Sequence, residues 1–203
     1  MSHDNQYIDE RSLRLRLKEL TAPFHKELES TPIAIRLASG AIGREEYGLY
    51  LEKVAALHQT LEPLFTAMGE WKAYGINPLQ RTRLQLLNND LCALGKEIPL
   101  KREIQPLDIP LNFATTVGMM YVLEGSTMGG QVLARKLSHI VGSDGLSCTR
   151  YFAAYGDNTM RLWGEFCQFL DQFGKENPQV ASEVILGACG MFLMIQKEMH
   201  ELI

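Results

Sequence analysis

The stretch Tyr121-Val-Leu-Glu-Gly-Ser-Thr-Met-Gly-Gly-Gln131 places three glycines in the middle of an otherwise helical run from about Asn112 to Val141. In a helix interior each glycine costs about 1 kcal/mol relative to alanine. Gly125 and Gly129 are four residues apart, so they bare the backbone on one helical face over about 6 Å of rise. A face without side chains admits another helix at close range or a flat ligand, and the loosened backbone can bend there. By spacing alone, close helix packing is the commoner use of such glycines. On these residues alone both readings stay open.

Helical periodicity extends from this run in both directions. Leu13, Leu17, Leu20, Phe24 and Leu28 mark one apolar face of a first segment. Pro23 lies inside it and predicts a kink, or a restart capped by Thr21. Gly40 and Gly43 punctuate a loop, and a long segment from Arg44 to Met68 follows, with Tyr47, Leu51, Val54, Leu57, Leu61 and Leu64 on one side. Asn77-Pro78 reads as a helix start before the stripe Leu84, Leu87, Leu91 and Leu94, and Gly95 reads as its stop. Pro99 to Pro110, with three prolines, is a connector, and Gly142 to Ser147 is a turn-rich loop. Asp157 is placed to cap a helix carrying Met160, Trp163, Phe166, Leu170 and Phe173. Asn177-Pro178 opens the last helix, with Val180, Val184, Met191, Ile195 and Met199 inside. No strand alternation, βαβ unit or internal repeat appears. The fold class is all-α: residues 11–203 form one multi-helical domain of seven or eight helices behind a flexible tail, residues 1–10.

Composition narrows the function. A chain of 203 residues that is 46% hydrophobic and 22% charged is globular, and large enough to fold without a disulfide scaffold. Twenty Lys and Arg against 24 Asp and Glu give a net charge of −4, which argues against a nucleic-acid partner. Cys92, Cys148, Cys167 and Cys189 are far apart and form no CxxC pair or zinc-type cluster. They are expected to be reduced thiols in a cytoplasmic protein. The polar stretch Met1 to Arg11 is unlike a signal peptide. The apolar stretch Val184 to Ile195 is shorter than the roughly 20 residues a bilayer requires, so no membrane span is expected.

His25 has Glu29 one helical turn after it. A carboxylate at that spacing can reach the imidazole, and a metal-bound histidine usually donates its other ring N–H to such an acceptor. Neutral histidine is also a standard axial ligand of haem iron. Taken alone, one histidine is more simply a surface or core residue. His58, His139 and His200 have no comparable neighbours and are read as core or surface, and His3 as tail.

The two features together resemble the haem oxygenases. The resemblance rests on Leu17-Lys-Glu-Leu-Thr-Ala-Pro-Phe-His-Lys-Glu-Leu-Glu29, on Gly43-Arg-Glu-Glu-Tyr-Gly-Leu-Tyr50 and on Glu124-Gly-Ser-Thr-Met-Gly-Gly-Gln-Val-Leu133. Tyr151-Phe-Ala-Ala-Tyr-Gly156 with Arg161-Leu-Trp163 resembles the late segment of the bacterial members. The likeness runs from about Leu13 to Ile203, with the motifs in the family's order and spacing.

The resemblance implies a haem sandwiched between a proximal and a distal helix, acting as both cofactor and substrate. His25 matches the proximal iron ligand and Glu29 the carboxylate that orients it. Gly125, Gly129 and Gly130 match the distal glycines, whose bare backbone leaves room for O2. Lys18 matches a residue that pairs with a haem propionate, and Tyr155 and Arg161 are further candidates for that job. Ser126 stands where animal-type members carry an aspartate in the distal water network, and Ala22 where some members have a second lysine. No membrane anchor is expected after Ile203, unlike the animal enzymes. The implied reaction is oxidative cleavage of haem to biliverdin, CO and ferrous iron, with electrons from a ferredoxin, a flavodoxin or a reductase. The resemblance also implies a phytochrome as acceptor of the biliverdin. The competing reading is a haem-storage protein of the same fold. A di-iron site would need paired Glu and His on several helices, which the sequence lacks.

Overall fold

A computed structural model describes residues 12–97 and 109–200. Among the described residues there are eight α-helices and four 3₁₀ turns, and no strand beyond an isolated bridge between Val141 and Ser147. The all-α class read from the sequence is the observed one. The tail 1–10 and nearly all of the proline-rich connector lie outside the described residues.

Helix α1 (Leu13–Glu29) starts at Ser12, whose side chain accepts from the Leu15 amide. It continues through Pro23, so the expected restart does not occur. Thr21 is not a cap; its hydroxyl donates to the Leu17 carbonyl at 2.7 Å, inside the helix. Helix α2 (Pro32–Ser39), capped by Thr31 and ended by Gly40 at φ 75°, is too short to have declared itself by periodicity. Helix α3 (Arg44–Ala67) matches the expected segment. Asn77-Pro78 opens a 3₁₀ turn, Pro78–Arg81, and α4 (Leu84–Ala93) begins only after a break at Thr82 and Arg83.

Helix α5 (Phe113–Lys136) starts in a capping box formed by Asn112 and Thr115 and stops five residues before Val141. After the short α6 (Arg150–Ala153), α7 (Thr159–Glu176) follows a 3₁₀ turn containing Asp157 and has no side-chain cap. The last 3₁₀ turn, Pro178–Val180, precedes α8 (Ala181–His200). The stretch Pro178–His200 is long and apolar enough to cross a membrane by length and composition, more so than the run noted in the sequence. In this fold it is the core helix of the bundle, with Val184, Ala188 and Met191 fully buried.

Packing between α5 and α8 sets the geometry of everything around them. A Cβ on Gly118 would lie 1.9 Å from the Val184 carbonyl oxygen, and one on Gly187 would lie 2.0 Å from that of Thr115. Backbone therefore touches backbone at this crossing, and α1 packs along α8. One buried cluster, with Leu17, Val117, Phe166, Leu170 and Met191, surrounds the crossing. A second, with Tyr47, Leu51, Leu87, Leu91 and Phe152, joins α3, α4 and α6. Leu28 and Ile195 pack against both clusters and so mark the seam between them.

Gly118→Ala should destabilise the protein by about 3 kcal/mol, near the upper end for overpacking, because the clash is with backbone. Gly164→Ala in α7 meets nothing within 4 Å and should be neutral or stabilising by up to about 1 kcal/mol. Urea unfolding of the two variants checks the contrast.

Candidate functional site

At the seam between the clusters lies a cavity of about 460 Å³, within the range of roughly 300–1,000 Å³ usual for ligand pockets. Its lining is mainly apolar: Leu28 from α1, Ile33 and Leu37 from α2, Val132 and Leu133 from α5, and Ile195 and Met199 from α8. The polar groups on it are few. His25 and Glu29 line one side, Gly129 and Lys136 belong to α5 on the other, and Tyr50 comes from α3.

Two contacts hold the His25 ring. Nδ1 lies 3.3 Å from a Glu29 carboxylate oxygen, and the ring stands edge-on to Phe192 with centroids 5.9 Å apart. With Nδ1 engaged, Nε2 has no hydrogen-bond partner among the described residues and is the nitrogen left to ligate a metal.

The three glycines of the distal segment do three different things. A Cβ on Gly129 would meet nothing within 4 Å, so its face is open onto the cavity. One on Gly125 would touch the Trp163 ring at 3.7 Å. One on Gly130 would sit 2.7 Å from the Phe152 carbonyl oxygen, so Gly130 is a packing glycine on α6. Close packing thus occurs at Gly130, and open space at Gly129.

The remaining candidates are placed unevenly. Lys18 is exposed on α1, two turns before His25, with no ion pair among the described residues. The Tyr155 hydroxyl is occupied in the interior, 2.7 Å from a Glu124 carboxylate oxygen and 3.1 Å from the Arg81 carbonyl. Ala154, at φ 47°, holds a conformation that L-residues rarely adopt and turns the chain so that Tyr155 reaches Glu124. Burial and the Glu124 carboxylate push the Tyr155 hydroxyl well above its ordinary pKa. Arg161 is spent on Glu165 at 2.6 Å and on Asn158. Neither Tyr155 nor Arg161 lines the cavity. Ser126 donates to the Leu123 carbonyl at 2.7 Å and accepts from Arg83 at 3.3 Å.

Sequence reasoning missed the groups behind Ser126. Arg81 and Arg83 are both buried, on either side of the break before α4. Arg81 pairs with buried Glu124. The Arg83 guanidinium donates to the Leu123 carbonyl at 2.9 Å and lies 4.8 Å over the Tyr151 ring. Glu62 Oε1 accepts from the Arg83 and Leu84 amides at 2.6 and 3.0 Å and lies 2.7 Å from His58 Nδ1. A carboxylate can only accept, so Nδ1 carries the proton and Nε2 accepts from the Tyr151 hydroxyl at 3.3 Å. Arg83, Tyr151, His58 and Glu62 thus close a ring. The only sequence signal for it was a cationic Arg81-Thr82-Arg83 between a proline turn and a leucine stripe.

A sequence model described as heme oxygenase matches residues 11–201. The chain belongs to the haem oxygenase family. Family membership makes it an oxidoreductase that degrades haem, with O2 as co-substrate. It is 28% identical over 159 residues to a haem oxygenase of Xanthomonas campestris pv. campestris, covering 77% of this chain and 90% of that one. The fold matches haem oxygenases of Neisseria meningitidis, solved with NO and CO bound, at TM-score 0.74 and 19% identity, covering 94% and 92% of the two chains. It also matches those of Leptospira interrogans (0.73, 18%, covering 94% and 100%) and of the cyanobacterium Synechocystis in complex with haem (0.71, 16%, covering 95% and 92%). These last three likenesses show the shared fold.

Burial lowers the His58 pKa below 6.5, against a partly offsetting hydrogen bond to Glu62. The unfolded chain therefore binds more protons there, and stability falls as pH drops through about 6.5 toward 5. His58→Gln should flatten that part of the profile at some cost in overall stability. Urea midpoints between about pH 8 and 5 test it.

Proposed function

We propose that one haem binds in the cavity between α1 and α5, as the macrocycle that this family degrades, with His25 Nε2 as its axial ligand. The observation that carries this reading is the opposition of two features across one apolar cavity: an imidazole with one nitrogen free, and Gly129 with open space where a side chain would stand. Glu29 fixes the tautomer and aim of His25. Gly129 keeps the opposite face clear. The apolar walls from α2, α5 and α8 exclude water and supply most of the affinity by burial. Bound haem supplies the iron that, with O2 and electrons, carries the oxidation to biliverdin, CO and ferrous iron.

Charge at the rim seats the propionates. Lys18 remains in that role. Lys136, whose ammonium donates to the Ala38 carbonyl at the end of α2, lines the cavity and joins it. Tyr155 and Arg161 act elsewhere: Tyr155 holds Glu124, and Arg161 pairs with Glu165 and Asn158. Ser126 and Gly125 complete the distal turn, with Gly125 making room for Trp163. We further propose a cytoplasmic setting, to which four free cysteines are suited. The electrons would come from a ferredoxin, a flavodoxin or a reductase, and the biliverdin could serve a phytochrome.

The test is to add haemin, reductant and air and follow loss of the Soret band with chromatography of the product. Wild-type protein should take up haem one to one and yield biliverdin. His25→Ala should abolish turnover, with added imidazole partly restoring the ferric spectrum. Gly129→Leu should slow ring opening by about tenfold or more, a barrier increase of roughly 1.4 kcal/mol, with a smaller loss of haem affinity. Haem bound but never degraded by the wild type would favour storage instead.

A further inference from the structure

Among the described residues, every tyrosine hydroxyl but one has a hydrogen-bond partner. Tyr47 donates to the Cys148 carbonyl, Tyr121 bonds to Thr21, Tyr151 to His58 and Tyr155 to Glu124, while Tyr74 accepts from Asn177. The exception is Tyr50, which is also the tyrosine that lines the cavity. Its ring is fixed in a stack, with centroids 6.5 Å from Tyr47 and 6.0 Å from Phe152 and planes within 15° of parallel. Phe152 in turn backs onto Gly130, the neighbour of Gly129.

Burial pushes the Tyr50 hydroxyl well above its ordinary pKa, so it keeps its proton at every working pH. Its oxygen is nevertheless not among the sealed polar atoms that lack a partner. A hydroxyl that lies deep in the protein, unbonded and still accessible, opens on the cavity its residue lines. The other polar groups there are engaged or stand at the edge. Thr31 spends its hydroxyl proton on the Leu28 carbonyl at 2.8 Å. His25, Glu29 and Lys136 are exposed, and Lys136 bonds to the Ala38 carbonyl. Tyr50 is thus an unspent donor within an otherwise apolar wall, where a hydroxyl is costly unless an acceptor meets it.

Intact haem has no such acceptor to offer away from the rim. Its oxygens are the propionates, and the rest of its periphery is methyl, vinyl and meso C–H. Ring opening changes this, because each side of the severed edge then carries a carbonyl oxygen. We infer that Tyr50 is a specificity-determining residue of the cavity: its hydroxyl donates to a carbonyl oxygen of the opened tetrapyrrole, favouring the product over the macrocycle that is consumed. This inference rests on the haem-binding reading above.

Tyr50→Phe tests it, since the variant keeps the aromatic stack and removes only a hydroxyl without a protein partner. Wild type and variant are titrated with ferric haem and, separately, with biliverdin, both followed by absorbance. Biliverdin affinity should fall about fivefold to tenfold in the variant, the net worth of one hydrogen bond. Haem affinity should stay within about twofold, and the urea midpoint should not fall. A general loosening of the cavity would weaken both ligands together, so equal losses overturn the inference, as does an unchanged biliverdin affinity or a wild type that binds no biliverdin. A wild type that binds no haem is a different result, which overturns the proposed function and this inference with it.

Discussion

The rest of the structure depends on the backbone contact between α5 and α8. At Gly118 and Gly187 the two helices are as close as main chains allow, because any Cβ there would collide with a carbonyl of the other helix. Such closeness anchors one end of α5 rigidly, and eleven residues on, about 16 Å along the axis, Gly129 faces a cavity instead of a neighbour. Side chains of ordinary size on α1, α2 and α8 then line the gap without filling it. A bundle usually spends its glycines on tight packing or on open space. Here one helix uses glycine for both: Gly118 and Gly130 pack against backbone, and Gly129 stands open.

A second constraint is the buried charge behind the cavity. Arg81, Arg83, Glu62 and Glu124 are held within the interior, and each is supported by several hydrogen bonds. Burying a charge is costly unless it is paired or hydrogen-bonded, and removal of one partner leaves the other stranded. The arrangement therefore resists sliding of α5 against α4 and α7. The strained backbone at Ala154 belongs to the same system, since it delivers Tyr155 to Glu124. Rigidity on that side leaves α1, with exposed His25 and Glu29, as the wall that faces solvent.

Much of this was legible in the sequence, and what was not has identifiable causes. The long helices declared themselves because each buries one stripe, as α7 does with Leu162, Phe166, Leu170 and Phe173. His25 with Glu29 stood out because a one-turn spacing is local chemistry. Gly125, Gly129 and Gly130 looked equivalent, yet their roles differ because each answers to a different neighbour: Trp163, empty space, and the Phe152 carbonyl. Gly118 and Gly187 drew no notice, since isolated glycines reveal a crossing only when the two helices are set against each other. Helix α2 was missed because eight residues carry too little periodicity. Arg81 and Arg83 drew no notice, since only the tertiary fold shows carbonyls and a carboxylate waiting for them. Tyr155 and Arg161 were assigned to the rim by resemblance; in space their polar ends turn to Glu124 and Glu165.

The central claim is that the seam between the two cores is a haem site with His25 and Gly129 on opposite faces. The most direct measurement is a crystal structure of the ferric haem complex. The account predicts iron bonded to His25 Nε2, Glu29 still on Nδ1, and the Gly129 backbone over the other face of the macrocycle. Iron held by any other side chain, or a haem seated outside the space between α1 and α5, would contradict it.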